Sequence, residues 1–151
     1  MKVADVMSSP AITVSPDTPI RQAAAIMRDR DVGVLPVLAG ARVVGIVTDR
    51  DLVVLVLALR DDAGTQPVRQ AMSPDPVFCQ NTQSVKEAVA LMGEAQIDRL
   101  LVADGQERLV GVISVGDIAV NASEVLAGQA IGEIREARRR RTRGHRIRPL
   151  E

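Results

Sequence analysis

Apolar positions along the chain change their spacing several times, and the same succession of changes occurs twice. Ile20, Ala23, Ala24 and Met27 follow the i, i+3, i+4, i+7 rule of an amphipathic helix. Thr18 ahead of them predicts the cap, with Pro19 in the first helical position. Two β-rich aliphatic runs, residues 32–38 and 43–47, then read as strands joined by a turn at Ala39-Gly40. A second helix is predicted from about Asp49. Later in the chain Ser84 and Glu87 form a capping box ahead of Val85, Ala88, Val89 and Met92. Runs at 97–103 and 109–113 flank Asp104-Gly105, and another helix is predicted from about Val115.

Direct alignment makes the repeat explicit. Residues 7–27 fall on 72–92 at a constant offset of 65, with Met7-Ser8 on Met72-Ser73, Ala23 on Ala88 and Met27 on Met92. After Gly40 and Gly105 one inserted residue shifts the offset to 66, so that Gly45 meets Gly111 and Asp51 meets Asp117. Each unit reads as a short strand, a helix, two strands and a helix. A unit this small buries too little surface to stand alone, so the expected fold is α+β, two β-α-β-β-α units packed sheet to sheet with pseudo-twofold symmetry. The predicted organisation is repeat 1 at 1–60, a linker at 61–67, repeat 2 at 68–125 and a helical, Arg-rich extension at 126–151.

Composition narrows the function. The chain has 151 residues, 46% hydrophobic and 25% charged, a globular profile. Its longest apolar run, residues 52–59, is far short of a bilayer span, and no leader pattern opens the sequence, which predicts a cytoplasmic protein. One cysteine, Cys79, and one histidine, His145, exclude an intrachain disulfide and a Cys/His zinc cluster. With Phe78 as the only aromatic there is no stacking platform for single-stranded nucleic acid. The formal net charge of zero conceals two regions: residues 1–132 carry 11 Lys/Arg against 16 Asp/Glu, and residues 133–151 carry 8 Arg against 3 Glu.

The stretches Gly45-Ile46-Val47-Thr48-Asp49-Arg50-Asp51 and Gly111-Val112-Ile113-Ser114-Val115-Gly116-Asp117 share the pattern G-h-h-[S/T]-x-x-D, where h is aliphatic. A strand there runs into a helix whose first amides attract anions, and the hydroxyl adds a donor. The carboxylate one turn on offers oxygens to the vicinal hydroxyls of a ribose. The same two pairs, Thr48 with Asp51 and Ser114 with Asp117, equally satisfy the pattern of a helix cap with an acid in the first turn.

Paired units closed by this motif, with Val34-Leu35-Pro36-Val37 ahead of the first, resemble a tandem CBS-domain pair, or Bateman module, over residues 3 to about 125. The stretches from Met27 to Val37 and from Gly45 to Leu52 are similar to those of small stand-alone bacterial members. The resemblance implies a regulatory, non-enzymatic homodimer. It would sense an adenosine-containing ligand (AMP, ADP, ATP, NAD or S-adenosylmethionine) in clefts between the repeats and relay this to a regulated protein. By resemblance Asp51 and Asp117 hold ribose, while Thr48, Ser114 and Arg99 meet phosphate or ribose. Ile12, Val32, Gly33 and Val34 line the base pocket of the Ser114/Asp117 site, and Val77, Ile97 and Asp98 go with the Thr48/Asp51 site. The sites are unequal, because Val34 stands where the second repeat has Arg99.

Residues 52–59 are apolar all round, which predicts cover on more than one side and hence a subunit interface. Residues 115–141 read as one long helix interrupted in propensity by Gly128 and Gly132. An alternative function makes the repeats a dimeric scaffold and the Arg-rich tail a contact for nucleic acid or an acidic partner.

Overall fold

A computed structural model describes residues 1–144, with side chains through Glu136; His145 and the rest of the basic tail lie outside the described residues. The elements are α1 (Val3–Val6), α2 (Ile20–Arg30), β1 (Val34–Ala39), β2 (Arg42–Thr48), α3 (Asp49–Asp51), β3 (Phe78–Gln80), α4 (Val85–Ala95), β4 (Arg99–Ala103), β5 (Leu109–Ser114), α5 (Val115–Asn121) and α6 (Glu124–Gly144). A π-helix, Leu52–Leu57, continues α3, and short 3-10 turns occupy Ala63–Thr65 and Val68–Gln70. The mixed helix-and-strand repeats anticipated from the hydrophobic pattern are present.

The chain divides into two compact units, Pro10–Pro76 and Met1–Ser9 with Val77 onward. The units therefore exchange their leading segments relative to the sequence repeats. The strand glycines show why. Ser73 pairs with Ile46 in both directions (Ser73 N–H to Ile46 O 2.9 Å, Ile46 N–H to Ser73 O 3.0 Å). Ser8 pairs with Val112 in the same way, at 2.9 and 3.0 Å. A Cβ on Gly45 would lie 2.8 Å from Ser73 O, and one on Gly111 would lie 2.6 Å from Ser8 O. The Met-Ser step that begins each repeat thus crosses the G-h-h strand of the other repeat in sequence, and only glycine leaves room for it.

In the unit formed by Pro10–Pro76, β1 and β2 are antiparallel, with a bulge after Val37. Val14, the counterpart of a strand residue in the second repeat, makes a single parallel bridge to Val37. The core holds Val14, Ile20, Ala23, Met27, Leu35, Val37, Val47, Leu52, Val56, Val68 and Ala71. Helix α2 begins one residue later than the Thr18 cap predicts. The Thr18 hydroxyl is used in a turn, accepting from Ser15 N–H at 3.0 Å, Pro19 takes the cap position, and Ile20 N–H donates to Gln66 O at 2.9 Å.

The other unit has β3 parallel to β4 and β4 antiparallel to β5, with the matching bulge after Val102. Its core includes Val3, Val6, Cys79, Val85, Ala88, Met92, Leu100, Val102, Ile113, Ile118, Ala127 and Ala130. Burying each such aliphatic side chain is worth about 1.5–3 kcal/mol. Ser84 and Glu87 form the anticipated box, Glu87 N–H to Ser84 Oγ at 3.1 Å and Ser84 N–H to Glu87 Oε2 at 2.7 Å. The single long helix expected at 115–141 is instead two. It breaks at Ala122, whose backbone leaves the helical region, and Ser123 restarts it, its Oγ accepting from Leu126 N–H at 3.2 Å. Gly128 and Gly132 sit inside α6 without interrupting it, because Ala127, Ala130 and Ile134 hold that helix down by burial.

Candidate functional site

Both G-h-h-[S/T]-x-x-D stretches turn from strand to helix in one step. At Thr48 and Ser114 the backbone is extended, and the next residue starts the helix. Thr48 N–H donates to Asp51 Oδ2 at 3.0 Å, and Asp51 N–H donates to Thr48 Oγ1 at 3.2 Å. In the second repeat Ser114 N–H reaches Asp117 Oδ2 at 2.8 Å and Asp117 N–H reaches Ser114 Oγ at 3.1 Å. The Ser114 hydroxyl also bonds the same Oδ2 at 2.9 Å. The capping alternative is therefore realised at both motifs, and it uses one carboxylate oxygen. Among the described residues Oδ1 of Asp51 and of Asp117 has no hydrogen-bond partner, and both side chains are partly exposed. A carboxylate offers about four acceptor positions, so a capped aspartate retains capacity for a second ligand.

The strand register sets what stands beside each cap. Val34 lies across from Thr48 in the β1–β2 pair, and Arg99 lies across from Ser114 in the β4–β5 pair. The helix starts are pinned to the loops preceding those strands, Asp49 N–H to Gly33 O at 3.0 Å and Val115 N–H to Asp98 O at 2.9 Å. One unit thus collects Val32, Gly33, Val34, Thr48 and Asp51 around a strand-to-helix junction. The other collects Asp98, Arg99, Ser114 and Asp117. Arg99 is about one-third exposed and forms a long contact with Asp98, 3.4 Å, which leaves most of its five donors for another acceptor. Ile12 packs against the core of its unit, as Val77 and Ile97 do against theirs.

Residues 10–76 contain a recess of about 310 Å³ lined by Met27, Arg28, Asp31, Val32, Gly33 and Asp49. Met27, Arg28, Asp31 and Asp49 were not among the candidate residues. Asp31 and Gln96 occupy equivalent positions of the two repeats, and both end their helices in the left-handed region (φ 51° and 59°). That turn directs the chain past the helix end toward the strand, and it opens the recess beside Gly33.

Outside the junctions, burial pushes the Cys79 thiol up to about 11, so Cys79 is a neutral core residue of β3. Glu87 is held below the usual carboxylate range first by the Ser84 backbone N–H and then by the Ser84 side chain. Among the described residues no three His, Cys, Asp or Glu side chains gather as metal ligands, and no helix is long and apolar enough to cross a membrane.

The family model for the CBS domain matches residues 3–58 and 68–124. The chain is 38% identical over 133 residues to the CBS domain-containing protein YhcV of Bacillus subtilis, which covers 87% of this chain and 94% of that protein. Its fold is similar to CBSX2 of Arabidopsis thaliana in complex with AMP, with a TM-score of 0.67 and 26% identity over 80% of this chain and 95% of that one. It is also similar to the CBS domain pair of protein MJ0100 in complex with 5′-methylthioadenosine and S-adenosyl-L-methionine, with a TM-score of 0.70 and 25% identity over 80% and 94% of the two chains.

Proposed function

This chain belongs to the CBS-domain family, with one CBS domain in each repeat, and we propose that it is a regulatory module that binds an adenosine-containing ligand and performs no chemistry on it. The observation that carries the reading is the junction at Ser114: a capped aspartate with a spare oxygen, a hydroxyl, and Arg99 directly across the strand pair. Asp117 would hold ribose hydroxyls through Oδ1, while Arg99 and Ser114 would meet phosphate. Thr48 and Asp51 would form a second site of weaker phosphate affinity, since Val34 replaces the arginine there. Ile12, Val32, Gly33, Val34, Val77 and Ile97 supply the apolar positions that would face the base. The AMP and adenosyl complexes of the similar CBS pairs support this ligand class.

Binding would act by shifting the population between arrangements of a homodimer, which a regulated protein then reads. The apolar, exposed residues Val53, Val54, Leu55, Leu57 and Leu59 favour such a subunit contact. Isothermal titration of ligand-free protein with AMP, ATP, NAD and S-adenosylmethionine tests the reading. Saturable heat with at least one is expected, and silence with all four would overturn it.

A further inference from the structure

The second CBS match ends at residue 124, where α6 begins, so this helix is an addition to the family unit. Repeat 1 has no counterpart, since past its π-helix the chain enters the 3-10 turn at Ala63–Thr65. Helix α6 packs on both α4 and α5, and Ala127, Ala130 and Ile134 are its buried residues among the side chains described. Its start is pinned to the end of α5, with Ser123 N–H donating to Ile118 O at 2.8 Å and Ala127 N–H to Ser123 O at 3.1 Å. Farther along, Glu133 lies against Gly93 of α4: a Cβ on Gly93 would overlap the Glu133 carboxylate and stand 3.6 Å from Glu133 Cβ. The Gly93 carbonyl accepts from Gln96 N–H at 3.3 Å, in the left-handed turn that leads to Asp98 and Arg99. Helix α5 opens on the Ser114 cap and Asp117, and Val115 N–H donates to Asp98 O at 2.9 Å. Thus α6 bridges the two helices whose other contacts meet at the Arg99–Ser114 junction.

We propose that α6, through Glu133 and Ile134, is a positioning element that aims Arg99 and so sets the affinity of this junction for the phosphate of its ligand; the inference rests on the adenosyl reading of the junction. Arg99 is the first residue of β4, and its guanidinium is steadied only by the 3.4 Å contact with Asp98. Its aim therefore follows the loop that α4 delivers, and α6 fixes where α4 ends. Asp117 differs, because the Ser114 cap holds its carboxylate locally and needs nothing from α6. The brace thus acts on phosphate far more than on ribose. In repeat 1 the position of Gly93 is held by Arg28, an exposed side chain paired with Asp29, so no such brace serves the Thr48–Asp51 junction. Coupling of this kind is reciprocal: phosphate on Arg99 firms α6, and a protein that grips α6 changes the affinity for the nucleotide by the same factor.

The experiment is calorimetric titration of the full chain with AMP and with adenosine, in wild type and three variants whose folding is checked by thermal melts. Ile134→Ala trims the buried side of α6, and Gly93→Leu lifts α6 from the opposite partner. Ile131→Ala makes the same kind of cut on the exposed side of α6 and serves as the control. The first two should weaken AMP by about threefold to tenfold and adenosine by less than about twofold, and the control should match wild type. Hydrogen exchange supplies the reciprocal reading: saturating AMP should slow the amides of α6 in wild type and leave them unchanged in Arg99→Ala. Wild type that binds neither compound would remove the adenosyl reading and the brace with it. Wild type that binds AMP, with Ile134→Ala binding it as tightly or losing AMP and adenosine equally, would overturn the brace alone.

Discussion

Arg99 stands directly opposite Ser114 in the β4–β5 ladder, whereas the equivalent cross-strand pair in the other unit is Val34 with Thr48. The two repeats therefore share a cap but differ in the charge beside it. Replacing Arg99→Ala should weaken AMP by about tenfold to a hundredfold, the value of a charged hydrogen bond, and leave adenosine nearly unchanged. Calorimetry with the two ligands in parallel reads this directly. Equal losses for both would remove phosphate recognition from Arg99.

Asp117→Asn keeps an oxygen for the Ser114 amide but gives up a carboxylate oxygen that a ribose could use. It should weaken ribose-containing ligands more than Asp51→Asn does if, as proposed, the junction beside Arg99 is the stronger site. Dissociation constants for both variants, with thermal melts confirming that the caps survive, decide the ranking.

Gly111→Ala would put a methyl 2.6 Å from Ser8 O, whereas nothing lies within 4 Å of a Cβ added at Gly105. The first substitution should cost about 1–3 kcal/mol and the second should stay within about 0.5 kcal/mol. Urea unfolding of the two variants checks the contrast, and equal stabilities would deny that the Met7-Ser8 crossing constrains the strand.

Glu87 is depressed in the folded state, so its contribution is present above the ordinary carboxylate value and lost as pH falls through the lowered one. The stability advantage of wild type over Glu87→Gln should accordingly shrink as pH is lowered from about 6 to about 3. Thermal melts across that range test the sign; a gap that widens on acidification would contradict it.

Cys79 has the opposite shift. Its thiol, raised to about 11 by burial, stays neutral in the folded protein while an unfolded chain would ionise first, so stability is lost as pH rises past the ordinary thiol value. A disulfide reagent at about pH 8 should leave native Cys79 unmodified and react as denaturant unfolds the chain. Rapid modification without unfolding would place the thiol at the surface.

Local rules recovered much of this fold from the residues. Ser84 with Glu87 marked a helix start because both halves of a reciprocal cap are written within one turn, and the same logic located Thr48 and Ser114. Those residues satisfied cap and ligand patterns alike, and the structure shows the cap, leaving ligand binding for experiment. Thr18 misled because a competing turn with Ser15 took its hydroxyl. The π-helix at Leu52–Leu57, where Ala58 N–H donates to Val53 O five residues back, has no signature in an all-aliphatic run. The restart at Ser123 runs against propensity, which puts the weak points at the downstream glycines, because burial of Ala127 and Ala130 outweighs the cost of Gly128 and Gly132. Most hidden was the exchange of leading segments, since aligned repeats look self-contained and only long-range pairing decides otherwise.

That exchange bears on biosynthesis. Residues 10–76 are contiguous and can close as soon as they leave the ribosome, but Met1–Ser9 precede them and pair with later segments, Val3 N–H with Gln83 O and Ser8 with Val112. Val3 and Val6 must wait for helices α4 and α5, against which their helix packs, and a gene divided at the linker would strand them in the wrong half.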